Sequence, residues 1–176
     1  MKKTACLVDG GYVEKATLEC FGRRRFNFED LIMNVNADGT LSHALYYDCP
    51  PYISSPPTAE ELEHRRRRES FYNFLRYIGF ECIFGKLKKC FDSNGKISFK
   101  QKQVDNLITV DLIKLSVKGL ITDVKLLTGD ADMVPAVKAA QDEGVRVELF
   151  YFPYSTSYEL LGTVDATTVI TSEWMR

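Results

Sequence analysis

Short apolar runs in this chain repeatedly end in aspartate. Leu7-Val8 precedes Asp9, Tyr46-Tyr47 precedes Asp48, and Leu126-Leu127 precedes Thr128-Gly129-Asp130-Ala131-Asp132. Ligands of an open parallel sheet bind outside the carboxyl ends of its strands. If these runs are parallel strands, their acids lie along one edge of a sheet. Glycines beside them let the backbone turn sharply and leave room for a ligand; they are Gly10, Gly11 and Gly129.

The same aspartates can instead be helix caps. Asp9 and Asp130 each stand where a helix can begin, and an aspartate there accepts a hydrogen bond from the first helical turn. Capping explains either residue alone better than it explains all the acidic strand ends together. We therefore favour a ligand site and keep capping as the alternative.

A long helical segment, Val104 to Val117, adds two further acids. One stripe of this helix is formed by Val104, Leu107, Ile108, Asp111 and Leu115. Asp111 is thus expected to face the interior, where a carboxylate must meet a cation, a metal ion or dedicated hydrogen-bond donors. Asp105 lies about 9 Å up the helix axis, where it can either cap the helix or reach the same pocket from its mouth.

The chemistry of these groups is that of a hard-oxygen metal site. Carboxylates without histidine or paired cysteine suit Mg²⁺ or Mn²⁺ rather than zinc. Such ions activate water and neutralise charge on phosphate oxygens, which fits phosphodiester hydrolysis. The two histidines, His43 and His64, lie far from the acids in sequence, so a Ser-His-Asp or Cys-His mechanism has little support. The five cysteines are odd in number and form no CxxC pair, which argues against a zinc knuckle or a disulfide framework. The expected location of the protein is therefore the reducing cytoplasm.

The length predicts one domain over residues 1–176. The chain is 45% hydrophobic and carries 23 Lys and Arg against 24 Asp and Glu, a formal net charge of −1. A nucleic-acid partner must therefore be held by local patches, and four basic clusters are candidates: Arg23 to Arg25, Arg65 to Arg68, Lys86 to Lys89, and Lys100 with Lys102.

No apolar run reaches the roughly 18 residues of a membrane span, and Ala5 to Val8 is too short for a signal peptide.

Strand-like and helical segments alternate along the chain. Strands are predicted at 4–8, 44–47, 80–84, 124–127 and 145–152, and helices at 58–78, 104–117, 135–143 and from 158. This order predicts an α/β domain with a mostly parallel central sheet flanked by helices on both faces, a three-layer Rossmannoid fold. Residues 50–57 and 86–100 are interpreted as insertions, the latter beginning as a polar hairpin or loop.

Several segments occur in an order that resembles a known family. They are Leu7-Val8-Asp9-Gly10-Gly11-Tyr12, Gly85-Lys86-Leu87, Gln101-Lys102-Gln103-Val104-Asp105, Val110-Asp111-Leu112, Leu127 to Val137 with its Gly-Asp-Ala-Asp core, and Gly144-Val145-Arg146-Val147. Together they resemble the NYN domain family, in the LabA-like (DUF88) branch of the PIN-like nucleases. The resemblance covers nearly the whole chain.

The resemblance implies a PIN-like fold and a metal-dependent nuclease that usually acts on RNA. Carried over residue by residue, it implies catalytic roles for Asp9, Asp111 and Asp130, and a metal shell completed by Asp105 and Asp132. The substrate-binding residues it implies are Lys102, Gly10, Gly11 and Tyr12. Many members have asparagine at the position of Tyr12 and phenylalanine at that of Met133. The first departure removes an amide that could orient substrate or metal, and the second is a tolerable core exchange.

Two functions fit these residues, and two others lack the motifs that they require. The leading hypothesis is a Mg²⁺- or Mn²⁺-dependent ribonuclease on single-stranded RNA, with RNA favoured over DNA and no membrane partner. The alternative is a non-catalytic RNA- or protein-binding regulatory module that retains the fold. A small-molecule phosphohydrolase of the haloacid-dehalogenase type lacks its Asp-x-Asp pair, since the first strand ends in Asp9-Gly10-Gly11, and a dinucleotide site lacks GxGxxG. The aromatic-rich C-terminal segment is compatible with a homodimer.

Overall fold

A computed structural model describes residues 1–91 and 97–176, with side chains described outside 88–102. Eight strands are assigned within these ranges: β1 Thr4–Asp9, β2 Leu41–Asp48, β3 Glu81–Phe84, β4 Lys86–Phe91, β5 Ile97–Lys102, β6 Asp123–Leu127, β7 Arg146–Tyr151 and β8 Ala166–Val169. Six α-helices accompany them: α1 Gly10–Phe21, α2 Phe28–Val35, α3 Ala59–Tyr77, α4 Val104–Val117, α5 Val134–Asp142 and α6 Tyr158–Thr163.

Six of the strands form a parallel sheet with the order β3-β2-β1-β6-β7-β8. The chain first builds outward from β1 through β2 to β3, then returns to the other side of β1 with β6. The topological switch point therefore lies between β1 and β6, where open α/β sheets bind ligands. This arrangement confirms the predicted α/β class and the mostly parallel central sheet.

Helices cover both faces of the sheet, as the predicted three layers require. In β1, Ala5 and Leu7 point into the core beneath α4, α5 and α6, whereas Cys6 and Val8 point into the core beneath α1, α2 and α3. All six residues of β1 are buried, as expected for a central strand that is covered on both faces. The strand ends can therefore support a site whose backbone is held from both sides.

The structure adds elements that periodicity did not predict. Helix α2 is only eight residues long and begins at the cap Asn27, whose side chain accepts from the backbone N–H of Asp30. Strand β8 is a short edge strand that pairs with β7. Strand β8 has only four residues, and α2 carries apolar residues at helical spacing over barely two turns, which is too short a repeat to predict a helix by itself.

The insertion predicted at 86–100 contains an antiparallel hairpin, in which β4 pairs with β5 up to Lys102. The hairpin leads directly into α4 and so delivers Asp105 to the carboxyl edge of the sheet. In the described parts of the chain, no helix is long and apolar enough to cross a membrane.

Candidate acidic site

A cleft of about 460 Å³ opens at the switch point of the sheet. It is lined by Asp9, Gly11, Tyr12, Lys15, Val104, Asp105, Gly129 and Asp130. Three carboxylates that are distant in sequence thus share one cavity, each delivered by a different element. The structure brings together the acids of β1, α4 and the β6 turn. Of these, the strand-end argument anticipated the acids of β1 and of the β6 turn.

Asp9 is the most buried acid of the cleft. It is 8% exposed and ends β1 while capping α1: its Oδ1 accepts from the backbone N–H of Tyr12 at 3.1 Å, and its Oδ2 accepts from the Thr128 hydroxyl at 3.4 Å. Burial raises the pKa of Asp9 to about 6, and the negative charge of Asp105 adds to the rise. Asp9 is therefore both a cap and a cleft acid, so the two interpretations of the sequence do not exclude each other.

Asp105 lies in the first turn of α4, where it lines the cleft. The helix starts after Gln103, which has a left-handed φ of 80° and gives no side-chain cap. Burial raises the pKa of the Asp105 carboxyl, and repulsion from Asp130 and Asp132 raises it further. The sequence allowed Asp105 either to cap α4 or to reach the pocket from its mouth, and in the structure it lines the pocket.

Asp130 and Asp132 lie in the turn that follows β6. Asp130 caps the short 3-10 helix Ala131–Met133, since its Oδ1 accepts from the backbone N–H of Asp132 at 2.9 Å. Asp130 lines the cleft, while Asp132 is exposed beside it and acts on Asp105 through its charge. Asp130, like Asp9, therefore both caps a helix and lines the cleft.

Asp111 occupies a different place from the other acids. It lies further along α4, is half-buried, and accepts a hydrogen bond from the Tyr47 hydroxyl at 3.0 Å. Burial raises the pKa of Tyr47, and the charge of Asp111 raises it further, so this tyrosine stays a donor. The helix stripe predicted that Asp111 faces the interior and needs a partner there, and the Tyr47 hydroxyl is a dedicated donor to it. Asp111 is, however, not among the residues that line the cleft.

Asp48, the acid that ends β2, is neutralised within the protein. Its carboxylate is buried and accepts from the Arg68 guanidinium and from the Tyr72 hydroxyl, the latter at 2.9 Å. Arg68 also pairs with Glu14 at 3.1 Å. A paired, hydrogen-bonded buried carboxylate is a structural group, so only two of the acidic strand ends contribute to the cleft.

Tyr12, one of the implied substrate residues, has its hydroxyl engaged in the fold. This oxygen accepts from the backbone N–H of Phe152 at 2.9 Å and lies 2.6 Å from the Thr156 hydroxyl. The ring packs edge-on against Phe152, and a side chain at Gly129 would collide with the Tyr12 ring. Tyr12 thus shapes the wall of the cleft, and Gly129 is needed because of this close approach.

The remaining implied substrate residues lie in different places around the cleft. Gly11 lines the cleft, whereas Gly10 is buried against the Tyr46 ring on the other side of α1. Lys102 ends β5 just before α4, and its side chain lies outside the described residues. Lys15 also lines the cleft, although it was not predicted from the sequence. Its position on α1, one helical turn after Gly11, could have indicated that it faces the same side as Gly11.

The oxygen donors of the cleft match the preference of a divalent cation. Within residues 1–91 and 97–176, as far as side chains are described, no three acid, histidine or cysteine side chains converge closely enough to hold a metal ion. In type and charge the donors nevertheless fit, because Asp9, Asp105 and Asp130 are hard oxygen ligands in one cleft whose mutual repulsion a cation would relieve. The residues can thus supply the ligands, although their side chains do not form a closed shell.

Comparison with known protein families matches the NYN domain over residues 3–172. The chain belongs to the NYN domain family. Members of this family are generally PIN-like hydrolytic nucleases that use divalent metals, which agrees with carboxylates at the carboxyl edge of a parallel sheet. Membership supports the nuclease class for this NYN protein without specifying its metal or its substrate.

Individual relatives support the fold rather than a specific activity. An uncharacterized protein, y4oD of Sinorhizobium fredii, is 50% identical over 50 residues, which cover 28% of this chain and only 23% of that protein. The crystal structure of VPA0982, a protein of unknown function from Vibrio parahaemolyticus, superimposes with a TM-score of 0.74 at 20% identity, covering 99% of this chain and 97% of that one. The NYN protein therefore shares its whole architecture with a solved structure.

Proposed function

We propose that this NYN protein is a divalent-metal-dependent endoribonuclease that hydrolyses phosphodiester bonds of single-stranded RNA. The observation that carries the proposal is the convergence of Asp9, Asp105 and Asp130 on one cleft at the switch point of the sheet. A cluster of carboxylates would repel a phosphate backbone unless a cation intervened. Family membership supports hydrolysis as the reaction.

Asp9, Asp105 and Asp130 would hold Mg²⁺ or Mn²⁺, with Asp132 adjusting the charge at the mouth of the cleft. A bound divalent ion supplies an activated water and neutralises charge on the phosphate. Asp9 is fixed by the Tyr12 amide and the Thr128 hydroxyl, so its carboxylate is already oriented. Asp111, anchored by Tyr47, supports α4 and β2 beneath the cleft in this proposal.

Substrate recognition is assigned to the rim of the same cleft. Lys15 lines it and carries positive charge, and Lys102 precedes the acid-bearing helix. Phosphates of a single strand would contact these lysines, while Gly11 leaves space for the backbone of the strand. The order of the Asp-Gly-Gly, Lys-x-Val-Asp and Gly-Asp-x-Asp motifs favours the LabA-like branch within the family.

The direct test is a cleavage assay on single-stranded RNA and DNA of the same sequence. Wild type is compared with Asp130→Asn in Mg²⁺, in Mn²⁺ and in EDTA. Asparagine can still accept the hydrogen bond that caps the 3-10 helix, so the variant keeps its fold while one ligand charge is lost. Asp142→Asn is the matched control, because it makes the same change at the far end of α5.

The proposal predicts metal-dependent cutting of RNA that Asp130→Asn abolishes and Asp142→Asn retains. Equal cutting by wild type and Asp130→Asn would show that the acids of the cleft are not the site. Tight RNA binding without product at any metal concentration would instead establish the non-catalytic binding module. Preferential cutting of DNA would correct the substrate and leave the metal site in place.

A further inference from the structure

A second and larger groove of about 730 Å³ lies on the other side of α1 from the acidic cleft. Its walls are α1, through Glu14 and Thr17, and α3, through Phe71 and Phe74, and Tyr46 of β2 lies between them. The acidic cleft uses other residues of α1, namely Gly11, Tyr12 and Lys15. The two cavities therefore share a helix but no lining residue, and the groove is not part of the proposed nuclease site.

The interior of the groove is aromatic. The rings of Phe28, Tyr46 and Phe71 pack edge to face, with centroids 5.6 to 5.8 Å apart. Phe71 and Phe74 are only partly buried, so their rings can be reached from the groove. A flat aromatic ligand could extend this cluster, since ring pairs at such distances attract each other beyond simple burial.

One end of the groove is strongly cationic. Arg23, Arg24 and Arg25 follow the end of α1, are exposed and line the groove. Arg24 donates to the backbone carbonyl of Met175 at 3.3 Å, and in the described part of the chain none of the three forms an ion pair with a carboxylate. Guanidinium groups bind phosphate through paired hydrogen bonds, so this end can receive one.

The opposite end of the groove carries no comparable excess of positive charge. There Arg68 is paired with both Asp48 and Glu14. A nucleic-acid strand carries phosphates along its whole length and would need positive charge throughout the groove. The observed distribution, an apolar interior with cations at one end, fits a small molecule with a single anionic group.

The wall of α1 contains a polar group that lacks a partner. Thr17 lines the groove and is 5% exposed, and its hydroxyl is the one buried side-chain oxygen or nitrogen left without a hydrogen bond among the described residues. Such orphaned groups are uncommon and call for an explanation. This oxygen is almost completely covered in the free protein, so a ligand hydroxyl would satisfy it after a small shift of the α1 wall. Glu14, one turn earlier on the same wall, offers an acceptor beside it.

We infer that this groove binds a nucleoside monophosphate. The base contacts Phe71 and Phe74, the sugar hydroxyls lie toward Glu14 and Thr17, and the phosphate is held by Arg23 and Arg25. The volume falls within the roughly 300 to 1,000 Å³ typical of small-ligand pockets. The inference does not depend on the proposed nuclease function, because it uses no residue of the acidic cleft.

Calorimetric titration with AMP tests the inference, in EDTA so that no metal recruits phosphate to the acidic cleft. Wild type is compared with Arg23→Gln/Arg25→Gln, which removes two phosphate donors and leaves the Arg24 contact intact. Lys114→Gln/Lys118→Gln removes the same charge from α4 and its end, on the other face of the sheet, and is the matched control. Adenosine, inorganic phosphate and a ten-nucleotide oligoadenylate are titrated alongside.

We expect AMP to bind wild type and the control equally, and to bind the arginine variant at least tenfold more weakly. Adenosine or phosphate alone is expected to bind at least tenfold more weakly than AMP. Thr17→Val should weaken AMP binding without lowering the unfolding temperature, because it removes a hydroxyl that has no partner in the free protein.

Four outcomes would overturn the inference. The first is the absence of AMP binding by wild type, and the second is equal binding by the arginine variant. The third is binding of the oligonucleotide through these arginines when AMP does not bind, which would assign the groove to nucleic acid. Loss of AMP binding in Asp130→Asn would also refute it, by placing the ligand in the acidic cleft.

Discussion

Replacing Asp9 by asparagine is expected to stabilise the metal-free protein above pH 6. Asparagine keeps the cap, because its amide oxygen can accept from the Tyr12 backbone N–H as the carboxylate does. Its amide nitrogen can donate to the Thr128 hydroxyl, which reverses the present hydrogen bond rather than losing it. The substitution therefore removes the charge and little else.

The magnitude follows from the pKa of Asp9. Burial, with help from Asp105, raises this pKa from an ordinary value of 3.8 to about 6, and each pKa unit corresponds to about 1.4 kcal/mol. Ionised Asp9 thus lowers the free energy of unfolding by about 3 kcal/mol. Because the folded pKa is the higher one, this cost is small below pH 4, grows between about pH 4 and 6, and is complete above that range.

Urea unfolding in EDTA at pH 8 and at pH 4 measures the effect. At pH 8 we expect Asp9→Asn to raise the free energy of unfolding by about 2 to 3 kcal/mol, and at pH 4 most of the gain should be gone. Asp142→Asn, at an exposed site, is expected to stay within about 0.5 kcal/mol of wild type. An equal gain at both pH values, or a loss at pH 8, would refute the electrostatic explanation. Added Mn²⁺ should stabilise wild type more than Asp9→Asn, because the variant lacks a ligand charge.

Three further substitutions, around the cleft and at the end of β2, are tested by thermal or urea unfolding. Gly129→Ala should cost about 1 to 3 kcal/mol, since its methyl group would collide with a backbone carbonyl and an aromatic ring; the control Gly162→Ala, with open space in α6, should instead gain about 0.4 to 1 kcal/mol. Tyr47→Phe should cost about 1 to 3 kcal/mol because Asp111 loses its donor; an unchanged stability would show that water replaces this hydroxyl. Arg68→Met should cost about 3 kcal/mol or more, because the buried carboxylate that ends β2 loses its ion pair; a loss below about 1 kcal/mol would show that this ion pair contributes little to stability.

Much of the architecture could be predicted because strong periodicity marks buried elements. The bounds of α4 at Val104 and Val117 agree with the prediction, and Thr58, where a helix was predicted to begin, caps α3 and forms a capping box with Glu61. Helix α2 and strand β8 escaped prediction because both are short, and β8 also depends on pairing with β7. No bounds were predicted for α1, although Asp9 was named as a possible cap of a following helix.

The candidate site was predictable in part. That Asp9 and Asp130 end strands could be inferred from the apolar runs before them, and the structure places both at one cleft with Asp105. The expectation that Asp111 faces inward also agrees with its contact to Tyr47. Nothing in the local pattern distinguished Asp48, whose burial beside Arg68 depends on how α3 crosses the end of β2.

The sequence by itself determined the alternation of strands and helices, the acids at the strand ends and the glycines beside them, because these follow from local periodicity and backbone sterics. Tertiary structure alone decided which acids share a cavity. The strand order brings the ends of β1 and β6 together and removes β2 to the side, where an arginine neutralises its acid. Charge and burial are properties of neighbours in space, and a residue's neighbours in space are set by the topology of the sheet.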